Sequence, residues 1–218
     1  MDEVIRARRT DKVLAGEPLP VDDLRSVVEE LVAVAGWAPF HKPVARVHTQ
    51  AGEMTSIVPW RFHLLDAAGC RALREALVAR GDRNKIPRLL GAASALVQAT
   101  WLPNPTRGDA AGPFEATVEN MEHIAAAGAA VQNLLLAATA RGIRNYWSSG
   151  GALRDTEACG WMGIPEREIL LGALFLFPAD TGEAEVSAGS HRDRRGGPAD
   201  WSRWVRLALP PAEDPFGG

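Results

Sequence analysis

The run Ile124 to Arg141, IAAAGAAVQNLLLAATAR, is apolar around nearly the whole circumference of a helix. Such a helix is stable only when it is buried on all sides. A chain that contains it must wrap its other elements around it or share it with a second copy of itself. Ala126, Gly128, Ala129 and Ala130 are small enough to let another subunit's helix approach closely, so a homodimer is expected on packing grounds. Gln132 and Asn133 sit inside the run and alanine dominates it, which favours a core helix over a membrane span. Helix is expected from Phe114 to Arg141, with Gly142 as its stop.

The remaining 200 or so residues suffice for one domain with its own core, since 46% of the 218 residues are hydrophobic. The domain is expected to span residues 1–218. A formal net charge of -3 gives no global attraction to nucleic acid or to an anionic membrane, and neither is expected as a partner. The opening MDEVIRARRTDK is too charged for a signal peptide. Cys70 and Cys159 stand far apart without a CxxC pair, which fits a reducing compartment; a cytoplasmic protein is the expectation.

Several further elements are legible. Leu24, Val27, Val28, Leu31, Val32 and Ala35 repeat at helical spacing behind Asp22 and Asp23, and Gly36 ends the pattern. The stretch from Trp37 to Phe62 has no period and reads as a long irregular connection into a strand at Trp60 to Leu65. Asp66 is placed to cap a helix that buries Cys70, Leu73 and Leu77 and turns Arg71, Arg74 and Arg80 to solvent. A short helix from Arg88 to Ala93 precedes a strand at Ala95 to Trp101. Leu102 to Pro113 is turn-rich and reads as a connection or a flap. Ile143 to Trp147 is a short strand, and Ile169 to Phe177, continuously apolar, belongs at the centre of a sheet. Everything after Pro178 reads as loop. Strands and helices alternate without a βαβ rhythm and no GxGxxG is present. The expected fold is therefore α+β, with a mixed, mainly antiparallel central sheet surrounded by helices.

Three stretches carry candidate chemistry, and each has a bland counterpart. Arg8, Arg9, Thr10 and Lys12 offer the donors that a phosphate or developing anion needs, or form a solvated basic end. Arg192 and Arg194, read as alternate residues of an extended segment, would point the same way and grip one phosphate together. NYWSSGG, Asn145 to Gly151, offers backbone donors where glycine lets a flat ligand approach, with Tyr146 and Trp147 nearby, or is a routine turn. The five histidines have no HExxH or other ligand spacing, so no metal site is expected. No GxSxG or P-loop supports a hydrolase or a nucleotide triphosphatase.

Taken together these fragments resemble the nitroreductase family of FMN-dependent oxidoreductases, from about Ile5 to Val205. RRTDK is similar to the family's opening basic pair with Ser or Thr and a further cation. WAPFHKP and VPWRF resemble its APS turn and QPWRF, with Phe40 and Val58 in place of the usual Ser and Gln and an insertion from about Val44 to Ile57. AAVQNLLLAATARGIRNYWSSGG is similar to the dimer helix and the strand whose exit lies against the flavin, and RDRR to the late basic pair. The resemblance implies a nitroreductase-like homodimer with FMN at a shared interface. Arg8, Arg9, Thr10, Lys12, Arg192 and Arg194 of one chain would meet Pro39, Phe40 and His41 of the other. Trp147, Ser148, Ser149 and Gly150 would line the ring, with Lys85 and Arg88 as further flavin or nicotinamide contacts. It implies hydride passing from NADH or NADPH through the flavin to a small electron-poor acceptor, a nitroaromatic or quinone, with Lys12 in an electrostatic role and no side chain required as acid or base. Two other readings stand beside it: a flavin enzyme using oxygen or a dedicated metabolite, and a flavin binder without turnover.

Overall fold

A computed structural model describes residues 1–21, 23–50, 54–106 and 113–207. Four strands form the central sheet, in the order β2 (Trp60–Asp66), β3 (Ala95–Trp101), β5 (Ile169–Phe177), β4 (Arg144–Ser148). Every described pairing is antiparallel, so the sheet is not mixed as the sequence suggested. The nine-residue β5 lies inside the sheet, and its residues from Leu170 on pack into helical layers on both faces. Leu174 and Leu176 face α2 (Arg25–Ala35) and α5 (Val118–Ala140), while Phe175 and Phe177 face α3 (Ala67–Ala79) and α4 (Lys85–Ala92). Burial of each such side chain contributes roughly 1.5–3 kcal/mol, so this strand ties the two layers into one body.

The helices start where the sequence supplies caps. Asp66 accepts a hydrogen bond from the Gly69 amide at 2.8 Å, and Asn84 accepts one from Ile86 at 2.8 Å. The second of these starts α4 at Lys85, three residues earlier than its apolar pattern suggested. Thr117 caps α5 through the Asn120 amide at 3.2 Å, which trims the expected helix by four residues. Arg71 and Arg74 are not turned to solvent. Arg71 donates to the carbonyls of Leu19 at 3.0 Å and Ala93 at 2.9 Å, and Arg74 to Gly16 at 2.7 Å, so both stitch the segment before α2 onto α3 and α4.

Helix α5 is covered less completely than its composition demands. Val131, Leu134, Leu135 and Ala138 are buried, but Met121 is 55% exposed, and Gly128, Ala129, Gln132 and Leu136 are half-exposed along the same side. One chain therefore leaves a stripe of its most apolar helix bare.

Two strands escaped the sequence reading. β1 (Asp11–Leu14) pairs with β6 (Glu185–Ala188) as a separate two-stranded ribbon, and α1 (Asp2–Ala7) precedes it. The segment after Pro178 is thus not all loop. Four polar-rich residues in each strand carry little period-2 signal, and their pairing spans most of the chain.

The connection before β2 is held by a buried cation. Arg61, 5% exposed, donates to the carbonyls of Trp60 at 2.7 Å, Ser56 at 2.8 Å, Val58 at 2.9 Å, Met54 at 3.2 Å and His48 at 3.3 Å. Nearby, Glu168 accepts from Thr100 at 2.6 Å and pairs with His63 at 2.8 Å. Arg61, His63 and Glu168 line a cavity of about 500 Å³. His48 also lines it, and its Nε2 lies 2.7 Å from the Pro103 carbonyl. That contact, with the 3.2 Å bond from the Ala45 amide to Asn104, fastens the connection to the start of the next long loop. Residues 107–112 of that loop, 51–53 of the connection, and Asp22 lie outside the described residues.

Burial lowers the pKa of His48 below its ordinary 6.5. The Pro103 hydrogen bond and Glu168 oppose that shift, and Arg167 and Arg61 add to it. Burial works to raise Glu168, but the hydrogen bonds from His63 and Thr100, helped by the charges of His63 and Arg61, hold it below its ordinary 4.5. Both groups bind protons more weakly in the folded chain, so stability is fully present above the unfolded pKa of each and falls as acid is added toward the folded value. Urea unfolding is expected to show stability declining in two stages, the first beginning near pH 6.5 and the second near pH 4.5. His48→Asn should remove the first stage and keep the second; an unchanged upper stage in that variant would refute the assignment.

Candidate functional site

The β1–β6 ribbon brings the two basic ends of the chain together. Arg192 donates to the carbonyls of Arg8, at 3.4 Å, and Arg6, and the Gly189 amide donates to Thr10 at 2.9 Å. Arg192–Arg194 form a short 3-10 turn, so the alternation expected of an extended segment does not apply. Arg192 and Arg195 instead share the neighbourhood of Arg8: burial first, then the charges of Arg195 and Arg192, lower the Arg8 pKa. A guanidinium that is destabilised by its neighbours is one that an anion would relieve. Arg194 makes no side-chain hydrogen bond or ion pair among the described residues.

The opening basic residues divide by their partners. β1 begins at Asp11, so Arg8, Arg9 and Thr10 precede it, and Asp11 and Lys12 point to opposite sides of the strand. Arg9 pairs with Asp11 at 3.2 Å, and Asp11 with Arg144 at 3.6 Å, beside an open cleft of about 620 Å³. Arg9 is therefore neutralised locally and separated from the Lys12 side.

Lys12 reaches Tyr146 on β4, its Nζ lying 5.9 Å from the ring centroid. Lys85, the first residue of α4, approaches the same ring at 5.6 Å and donates to its hydroxyl at 3.1 Å. Tyr146 is 7% exposed and stacks on Phe175 at 6.2 Å. Three elements distant in sequence thus converge on one aromatic ring. Tyr146 was singled out by the sequence only as aromatic packing, because nothing local reveals that two lysines will meet it.

Beyond Tyr146 the chain turns sharply. Ser148 is buried and its hydroxyl accepts from the Gly150 amide at 3.2 Å. Gly150 has φ +108, and a Cβ there would stand 2.7 Å from Leu170, so only glycine fits. Its amide is engaged by Ser148 and is not a free donor. Ser149 is exposed, and its carbonyl accepts from Arg154. Trp147 faces away from its neighbour Tyr146 and lies against Gly172 on the other side of the sheet, 38% exposed. It does not belong to the wall that Lys12 and Lys85 form.

The remaining candidates sit elsewhere in the chain. Arg88 pairs with Glu185 of β6 at 3.1 Å, an exposed contact that holds the ribbon. Phe40 meets Trp60 edge-on at 5.9 Å, in the cluster that includes Ala126 and Ala130 of α5. Pro39 and His41 flank it and are exposed. None of these three touches the Lys12, Lys85 and Tyr146 group within one chain. Among the described residues, no three His, Cys, Asp or Glu side chains gather as metal ligands.

Comparison with solved structures places the fold. A nitroreductase-like family protein from Bacillus cereus superposes with a TM-score of 0.64 at 22% identity, covering 94% of this chain and 96% of that one. The FMN-dependent nitroreductase from Mycobacterium smegmatis, in complex with NADPH, superposes at 0.59 with 17% identity, over 94% and 97%. A protein from Desulfovibrio desulfuricans described as a nitroreductase and crystallised with FMN gives 0.56 at 20%, over 94% and 96%. Residues 5–176 of the sequence match the nitroreductase family, well over half of the chain, and to that family this protein belongs.

Proposed function

We propose that the protein is an FMN-dependent oxidoreductase that takes reducing equivalents from NADH or NADPH and passes them to a small electron-poor molecule, a nitroaromatic or quinone. The observation that carries this reading is the convergence of Lys12 and Lys85 on Tyr146, in the strand that leads into a glycine turn, together with the Arg8, Arg192 and Arg195 cluster that the β1–β6 ribbon assembles. A flavin mononucleotide needs a cationic pocket at its phosphate and a positive wall at the ring edge that gains charge on reduction. The arginine cluster and the two lysines are the groups of this chain that would supply them. The proteins from Mycobacterium smegmatis and Desulfovibrio desulfuricans support the same cofactors by their FMN and NADPH.

When bound, FMN supplies the electron chemistry. The protein's own residues bind and orient. Arg8, Arg192 and Arg195 would hold the phosphate through charge-assisted hydrogen bonds. Lys12 and Lys85 would place positive charge where negative charge develops, which lowers the energy of the reduced state without transferring a proton. Gly150 lets the backbone come close to a flat ligand. Arg9 and Arg88, already paired with Asp11 and Glu185, contribute at most to the surrounding field.

The bare stripe on α5, from Met121 to Leu136, supports a homodimer. Pro39, Phe40 and His41, exposed or half-buried beside that helix, would then reach the partner's site. Light scattering is expected to give twice the chain mass of 23.4 kDa; a monomer at micromolar concentration would remove the shared-site arrangement.

The purified protein should be yellow, and NADH or NADPH should bleach it without oxygen. A colourless protein that takes up no added FMN sinks the enzyme reading, and a yellow protein that neither nucleotide bleaches points to a flavin binder. Arg192→Ala is expected to weaken FMN retention at least tenfold, the loss of one charge-assisted hydrogen bond being about 1.5–3 kcal/mol. Equal affinity by fluorescence titration would place the phosphate elsewhere.

A further inference from the structure

The two ammoniums of Lys12 and Lys85 have no carboxylate within ion-pair distance among the described residues. Like charges on long, flexible stems separate into water unless something holds them. Here that something is one ring. Tyr146 presents its ring to Lys12, whose Nζ is 5.9 Å from the centroid, and its hydroxyl accepts from Lys85 at 3.1 Å, which places that ammonium beyond the hydroxyl rather than over the face. The electron-rich face attracts Lys12 and the hydroxyl oxygen holds Lys85, which offsets part of the repulsion between them. The ring itself cannot drift: it is 7% exposed, stacks on Phe175 at 6.2 Å with a 20° tilt, and Phe175 stacks on Phe177 at 6.3 Å with a 6° tilt. This aromatic column stands on the fully buried floor of α3 and α4.

We infer that Tyr146 is a positioning residue that sets the redox bias of the site, by fixing two uncompensated lysine ammoniums on one wall. The inference rests on the FMN reading given above. Two-electron reduction of a flavin with uptake of one proton adds one negative charge to its ring system. Two ammoniums fixed nearby therefore bind the reduced cofactor more tightly than the oxidised one. The difference raises the cofactor's potential. The hydroxyl acts on Lys85 and the ring face on Lys12, so their contributions separate by mutation.

The test measures two quantities on reconstituted protein: the affinity for oxidised FMN, by titration, and the midpoint potential of the bound cofactor, by equilibration with a reference dye. Tyr146→Phe keeps the ring and frees Lys85. It is expected to cut the preference for reduced over oxidised FMN about tenfold, which is about 30 mV for a two-electron couple, with oxidised FMN bound within about threefold of wild type. Lys85→Met should reproduce that shift, a match that loss of packing at Tyr146 would not produce. Tyr146→Leu removes the ring face and should shift the potential further in the same direction. Equal potentials in wild type, Tyr146→Phe and Lys85→Met, with FMN bound in all three, overturn the inference and leave the functional reading intact. A wild-type protein that takes up no FMN overturns the reading itself, and this inference falls with it.

Discussion

The burial of β5 on both faces is the constraint from which the architecture follows. A strand whose successive side chains are all apolar cannot lie on a surface, so it requires hydrogen-bonded neighbours on each edge and a helical layer above and below. β3 and β4 supply the edges. The layers differ: α2 and α5 cover one face with aliphatic side chains, while α3 and α4 cover the other over Phe175, Phe177 and Tyr146. That asymmetry gives the second face a stiff aromatic column at its β4 edge, and Lys12 and Lys85 gather at its Tyr146 end.

Most of the fold is legible in single residues. The bounds of β5 follow from a continuous apolar run, and the start of α3 from the Asp66 cap ahead of an apolar stripe. What stays hidden is whatever depends on pairing at a distance. The β1–β6 ribbon, the turn around Arg192, and the inward reach of Arg61 and Arg71 all satisfy backbone groups that no local pattern identifies. Long basic side chains are the hardest to place. A sequence shows their charge, but the carbonyls that attract their guanidinium groups become available only in the folded chain.

The candidate site shows the same division. The two basic clusters and the glycine turn are recognisable as motifs, and the ribbon unites the clusters beside the strand that leads into that turn. Their internal roles are not recognisable, because the groups that divide them, Asp11 for Arg9 and Tyr146 for Lys12, meet them only in the folded chain. Adjacent residues with the same chemistry thereby acquire different partners: Arg9 is held by Asp11, while Lys12 keeps its charge unpaired.

Tyr146 and Trp147 stand side by side in β4 and serve opposite layers of the molecule. Their division of labour depends on the count of residues between Gly142 and the Gly150 turn. A single residue inserted or removed in that short strand would exchange them, turning an indole toward the lysines and a phenol toward Gly172. The roles of these two side chains are thus set by the length of the strand that carries them as much as by the side chains themselves.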